Sequence, residues 1–98
     1  MTVEKIQNGT SLTLKVEGEL DTLTSPEFGA ILQESLEGIQ ELILDFEKLD
    51  YTSSAGLRVM LQAQKAMEKQ GTMTILHVKD EVMEIFDITG LVDVFTIE

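Results

Sequence analysis

The sequence predicts an α/β fold: one domain, residues 1–98, with a mixed five-stranded sheet in the order ββαβαβαβ and helices packed mainly on one face. Three observations predict it. From Ser11 to Glu19 the chain alternates, with Leu12, Leu14 and Val16 pointing one way and Thr13, Lys15 and Glu17 the other, as in a half-buried strand. Leu42, Ile43 and Leu44 are consecutive and apolar, the pattern of a strand covered on both faces. Between these stretches Phe28, Ile31, Leu32 and Ser35 or Leu36 recur at helical spacing. A strand, a helix and such a second strand make a βαβ unit, with parallel strands and a right-handed crossover.

The elements follow in order. Val3 to Gln7 reads as a short strand ended by the hairpin signal Asn8-Gly9, and Ser11 to Glu19 pairs back onto it. Thr24 with Glu27 three residues on fits a capping box, Pro26 sits in the first helical turn, and Gly38 ends that helix after Leu36. Glu41 to Phe46 is the third strand. A second helix begins near Ser54 or Ala55, carries Leu57, Met60, Leu61 and Met67 inward and Arg58, Gln62, Lys65 and Lys69 outward, and closes at Gly71. Met73 to Val78 is a fourth strand with His77 in its interior. Asp80 caps a third helix that stops at Gly90, and Val92 to Ile97 is the last strand.

Composition narrows the function. A 98-residue chain with 43% hydrophobic residues supports one packed core. No apolar run approaches the ~20 residues of a membrane span, and the start Met1-Thr2-Val3-Glu4-Lys5 lacks a signal-peptide layout, so the expected location is the cytoplasm. No cysteine is present, which removes disulfides, cysteine-based zinc sites and thiol catalysis. A net charge of −11 disfavours nucleic acid and anionic membranes as partners and suits docking on a more basic protein surface. Separately, the chain is expected to be a monomer or weak dimer.

The chemistry concentrates in Tyr51-Thr52-Ser53-Ser54-Ala55-Gly56-Leu57. One reading is that Ser53 or Ser54 caps the second helix. The other adds an anion site, because a helix N-terminus offers unpaired amides and partial positive charge, and a phosphoserine there leaves the helix standing. A nucleophile needs a base, and the single histidine, His77, falls in a predicted strand; no G-x-S-x-G elbow surrounds Ser54. Asp45, Glu47 and Asp50 cluster near a strand end without any phosphate-cradling loop, and read as solvated surface. No enzyme activity, metal or cofactor is therefore expected. Asp21 follows the second strand and comes beside the serine turn if the strands are neighbours, although Asp is also a common turn former.

Laid out in this way, the chain resembles a stand-alone bacterial anti-sigma factor antagonist of the STAS-domain family over nearly its whole length. Gly18-Glu19-Leu20-Asp21 with Pro26-Glu27-Phe28 resembles the family's first signature. Leu44-Asp45-Phe46, Leu49-Asp50-Tyr51 and Ser53-Ser54-Ala55-Gly56-Leu57-Arg58-Val59 are similar to its central one, and Ile85 to Leu91 is similar to the tail pattern. The resemblance implies that the unmodified protein binds an anti-sigma factor that is also a serine kinase, and so frees a sigma factor. It implies phosphorylation at Ser54, with Ser53 the lesser candidate, and reversal by a metal-dependent serine phosphatase. Asp21, Thr22, Thr52, Ser53, Ser54, Gly56, Leu57 and Arg58 are the implied partner-binding positions. Better-studied members carry an aspartate where this chain has Ser53. The alternative is a non-switching STAS interaction module of a larger lipid-transport or stress-sensing assembly, in which Ser54 is only a helix cap.

Overall fold

β1 (Thr2–Asn8) and β2 (Ser11–Leu20) form an antiparallel hairpin that closes on Asn8 opposite Ser11, with Gly9 at φ +60° in the loop. The missing Cβ lets glycine take that left-handed conformation without strain. The computed structural model describes residues 1–98. After the hairpin come α1 (Ser25–Ser35), β3 (Glu41–Asp45), β4 (Leu49–Thr52), α2 (Ser54–Glu68), β5 (Thr72–Leu76), α3 (Asp80–Ile88), a 3-10 turn (Leu91–Asp93) and β6 (Thr96–Ile97).

Strands β1, β2, β3, β5 and β6 lie in that order, with β1 antiparallel and every later pair parallel. The sheet has six strands rather than five. The additional one, β4, pairs with the far end of β2, Gly18 to Leu20, whereas β3 pairs with its beginning, Ser11 to Lys15. A register shift between Gly18 and Glu19 marks the join, and Gly18 has φ +103°. One long strand therefore holds two short ones end to end on the same edge. The second of them delivers the chain to the serine turn.

All three helices cover the same face of the sheet. Their buried residues, among them Phe28, Leu32, Leu57, Met60, Met67, Val82 and Phe86, join Leu12, Leu14, Leu42, Leu44 and Ile75 in a single core cluster. The opposite face stays open, with the in-register residues Thr13, Ile43 and Thr74 half-buried. The apolar triplet Leu42-Ile43-Leu44 is thus covered on one side only. Ile43 is a β-branched residue on a half-wet surface, a place such residues occupy readily.

Three further expectations change. Lys79, not Asp80, stands at the capping position of the third helix, without a side-chain cap bond, and Asp80 occupies its first turn together with Glu81, where acids favour the positive helix end. The last strand shrinks to Thr96–Ile97, because Leu91–Asp93 coils into a 3-10 turn. His77 lies outside β5, which ends at Leu76, in the left-handed region at φ +58°.

Candidate functional site

The serine turn is anchored from two sides. β2 and β4 run parallel with Leu20 opposite Thr52, and the next bond along, Ser53 N–H to Leu20 O, is 2.7 Å. The strand ends carrying Asp21 and Ser53 are therefore neighbours, as expected if the two strands adjoin. Below them Thr52 is buried, and its hydroxyl donates to Ser53 O at 3.1 Å. Gly56 sits where α2 presses hardest on this frame. A Cβ added there would run into Thr52 Oγ1 and come within 2.9 Å of Leu20 Cβ. The glycine is required by space, since its φ lies outside the left-handed range.

Neither serine caps α2. Ser53 stands at the capping position in an extended conformation, yet its side chain makes no cap hydrogen bond, and its Oγ is buried without a partner. Ser54 is the first helical residue and is exposed. The first bond that closes the helix is Leu57 N–H to Ser53 O, 3.1 Å, so the amides of Ser54, Ala55 and Gly56 have no intrahelical acceptor. No acid occupies the first turn of α2. α2 itself supplies no countercharge to its positive end.

Asp21 organises the adjoining loop. Its Oδ1 accepts the amides of Leu23 and Thr24, each at 2.9 Å, and lies 3.1 Å from Thr24 Oγ1. The amide of Thr24, then that of Leu23, then the Thr24 hydroxyl hold the Asp21 carboxyl below its ordinary pKa, so it is ionised near neutral pH. Thr24 is thereby diverted from capping α1. Its Oγ1 accepts Asp21 N–H at 2.9 Å and lies 2.9 Å from Glu19 O, so the anticipated capping box does not form. The loop then turns Leu23 out into solvent, 86% exposed, with Thr22 exposed beside it.

The anticipated partner-facing residues divide into two groups. Asp21, Thr22, Ser54 and Arg58 reach the surface, whereas Thr52, Gly56 and Leu57 are buried and hold the turn from beneath; Ser53 lies between. The exposed Leu23 lies outside the anticipated positions, and Tyr51, within the serine turn, is exposed as well. A lone leucine between Thr22 and Thr24 was the available signal. None of the three surface recesses is lined by Ser54. One polar recess, about 450 Å³, lies by Lys15, Asp45 and Glu47 on the open sheet face. A small molecule is usually held in a concavity. None of these concavities opens at Ser54.

The other polar groups form pairs of their own. Asp45 binds His77 Nδ1 at 2.9 Å and accepts Glu47 N–H at 3.1 Å, while Asp50 pairs with Lys79. His77 is exposed, one residue past the end of β5. No group of three His, Cys, Asp or Glu side chains is placed to share a metal ion, and no helix is long and apolar enough to cross a membrane.

Fold and site together define a small α/β domain that presents an exposed serine at a helix start. The STAS domain family model matches residues 2–98, and the chain belongs to that family. It is similar to the anti-sigma-B factor antagonist of Staphylococcus aureus, with 34% identity over 82% of this chain and 76% of the relative. Its fold matches the crystal structure of an anti-sigma factor antagonist from Mycobacterium paratuberculosis at TM-score 0.88 and 18% identity, covering 98% of this chain and 83% of the other. It also matches the Bacillus cell fate determinant SpoIIAA in its phosphorylated form, at TM-score 0.76 and 18% identity, covering 99% and 91%.

Proposed function

We propose that this protein is an anti-sigma factor antagonist switched by phosphorylation of Ser54. The observation that carries the reading is the contrast between two adjacent serines. Ser54 is exposed at the first position of α2, while the Oγ of Ser53 is buried. Unmodified, the chain binds an anti-sigma factor that is also a serine kinase, using Ser54, Arg58, Asp21, Thr22 and the exposed Leu23, and so releases a sigma factor. The kinase transfers the γ-phosphoryl of ATP to Ser54 Oγ, ADP departs, and the hydroxyl proton goes to solvent or a kinase base. A metal-dependent serine phosphatase returns the hydroxyl by hydrolysis. The antagonist itself works by binding and not as an enzyme.

The electrostatics explain why a phosphate would break the complex. It brings about −1.5 to −2 charges at neutral pH. They arrive beside Asp21, whose carboxylate the loop already keeps ionised. Like charges forced into an interface cost several kcal/mol. The fold itself has no reason to yield, because the phosphate sits at the positive end of a helix.

The test is direct. The chain is incubated with its cognate anti-sigma kinase and ATP, the modified residue is mapped by mass spectrometry, and the kinase affinity of wild type is compared with that of Ser54→Asp. Modification at Ser54 with loss of binding in the variant is expected. A Ser54→Asp chain that binds as tightly as wild type would refute the switch.

A further inference from the structure

The cations of this chain are distributed unevenly. Only seven Lys and Arg residues stand against eighteen acids, and three of the seven, Arg58, Lys65 and Lys69, lie along α2 and its C-terminal cap. With Ser54 and Gln62 they recur at intervals of three and four residues, which aligns them in one stripe along the helix. Ser54, Arg58, Gln62, Lys65 and Lys69 are all exposed. The two ion pairs of the molecule are His77–Asp45 and Lys79–Asp50, so none of the three stripe cations has a carboxylate at salt-bridge distance. A chain this acidic nevertheless leaves its α2 cations without a counter-ion.

Arg58 is one helical turn beyond Ser54. Residues four apart on a helix face have Cβ atoms about 5–6 Å from each other, and the favourable order places the anion nearer the N-terminus. A phosphoserine side chain is long enough to meet an arginine across that gap. The guanidinium fork matches two phosphate oxygens at once, which a lysine ammonium does not.

We propose that Arg58 is the counter-ion of the phosphate on Ser54, closing an i, i+4 pair across the first turn of α2; this rests on Ser54 being the modified residue. Modification then alters the docking stripe twice over. It adds an anion at the head of the stripe, and it withdraws the adjacent cation from any partner group that faced it. Lys65 and Lys69, two or more turns further on, keep their charge. The partner surface that reads this change is one that carries acid opposite Arg58, since only such a surface loses attraction and gains repulsion in the same step.

The pair is measurable on the isolated chain. Phosphoserine is installed at position 54 during translation, and the second ionisation of the phosphate is followed by phosphorus NMR at low salt in the wild-type, Arg58→Gln and Lys65→Gln backgrounds. Removing the Arg58 charge is expected to raise that pKa by about 0.3 units, the size of an exposed helix ion pair. Lys65→Gln is expected to leave it in place, and 1 M salt to erase the Arg58 difference. Asp21 and Glu27, the acids of the adjoining β2–α1 segment, are common to all three proteins and cancel in the comparison. An Arg58→Gln protein that titrates with wild type, or a Lys65→Gln protein that shifts as far, overturns the pairing. Because no kinase is used, a chain that no kinase modifies would refute the switch and leave this result standing. Equal titrations would do the reverse.

Discussion

Replacing Gly56 by alanine should destabilise the protein, even though alanine is the better helix former. The opposing effects are both readable. Glycine to alanine inside a helix gains up to about 1 kcal/mol, and less in a first turn, where the backbone is only partly fixed. Against that, the new methyl would collide with Thr52 Oγ1 and approach Leu20 Cβ to 2.9 Å. Both neighbours are buried, and Leu20 Cβ is tied directly to its strand, so α2 itself must move. Overpacking of this kind costs about 1–3 kcal/mol. A net loss of about 1–2 kcal/mol is expected, or about 4–16 °C in Tm for a domain of this size. Urea unfolding followed by circular dichroism measures it, with Gly29→Ala as the contrasting control. At Gly29, in α1, the added Cβ would meet Val59 Cγ2 at an ordinary 3.6 Å, so that variant should gain about 0.5–1 kcal/mol. In a Thr52→Ala background the Gly56→Ala penalty should shrink without vanishing, because Leu20 remains. A Gly56→Ala protein as stable as wild type, or an unchanged penalty in that background, would refute the packing argument.

Ser54→Asp should fold and be slightly more stable than wild type, because α2 has no acid in its first turn. A gain near 0.5 kcal/mol, about 2–4 °C, is expected at low salt, and a loss of cooperative unfolding would contradict it. His77 should titrate above the ordinary imidazole value of about 6.5, first because Asp45 accepts its hydrogen bond and then through the charge of that carboxylate. The raised pKa means that the pair's stabilisation is full below the unfolded value and fades as pH rises through the folded one. On the acid side, burial is the largest single effect on Asp45 and raises its pKa, but the hydrogen bonds from His77 and Glu47 with the charges of His77 and Lys15 together outweigh it and lower the pKa, so that contribution is lost as pH falls through the lowered value. Proton NMR of His77 in wild type and Asp45→Asn checks the assignment; an unmoved titration would break it.

The parts legible in the sequence were those whose signal is periodic. Alternation along Ser11 to Glu19 and the helical spacing of α1 and α2 came through, because each reflects a single buried face. β4 did not. Its four residues bury only Leu49 and Thr52 and expose the two between, a pattern with neither period. What makes Leu49–Thr52 a strand is β2 passing alongside, and no local window contains that fact. Ile43 misled for the related reason that hydrophobicity does not report which side of a sheet the helices choose.

The same non-locality governs the serine turn. Ser53 and Ser54 are identical residues side by side, and helix-start chemistry assigns a cap or an acceptor to either. The distinction arises from the bond between Ser53 N–H and Leu20 O, which ties Ser53 to the end of β2. With its backbone held there, the Ser53 hydroxyl is buried, and the chain enters the helix one residue later with Ser54 facing out. Gly56 then brings α2 down hard on the same strand, so the position of Ser54 is set by β2 and β4 more than by α2. A kinase that reads an exposed hydroxyl at a helix start would therefore depend on Leu20, Thr52 and Gly56, residues it never touches. Damage to any of them should impair modification of Ser54 while its own sequence surroundings stay intact.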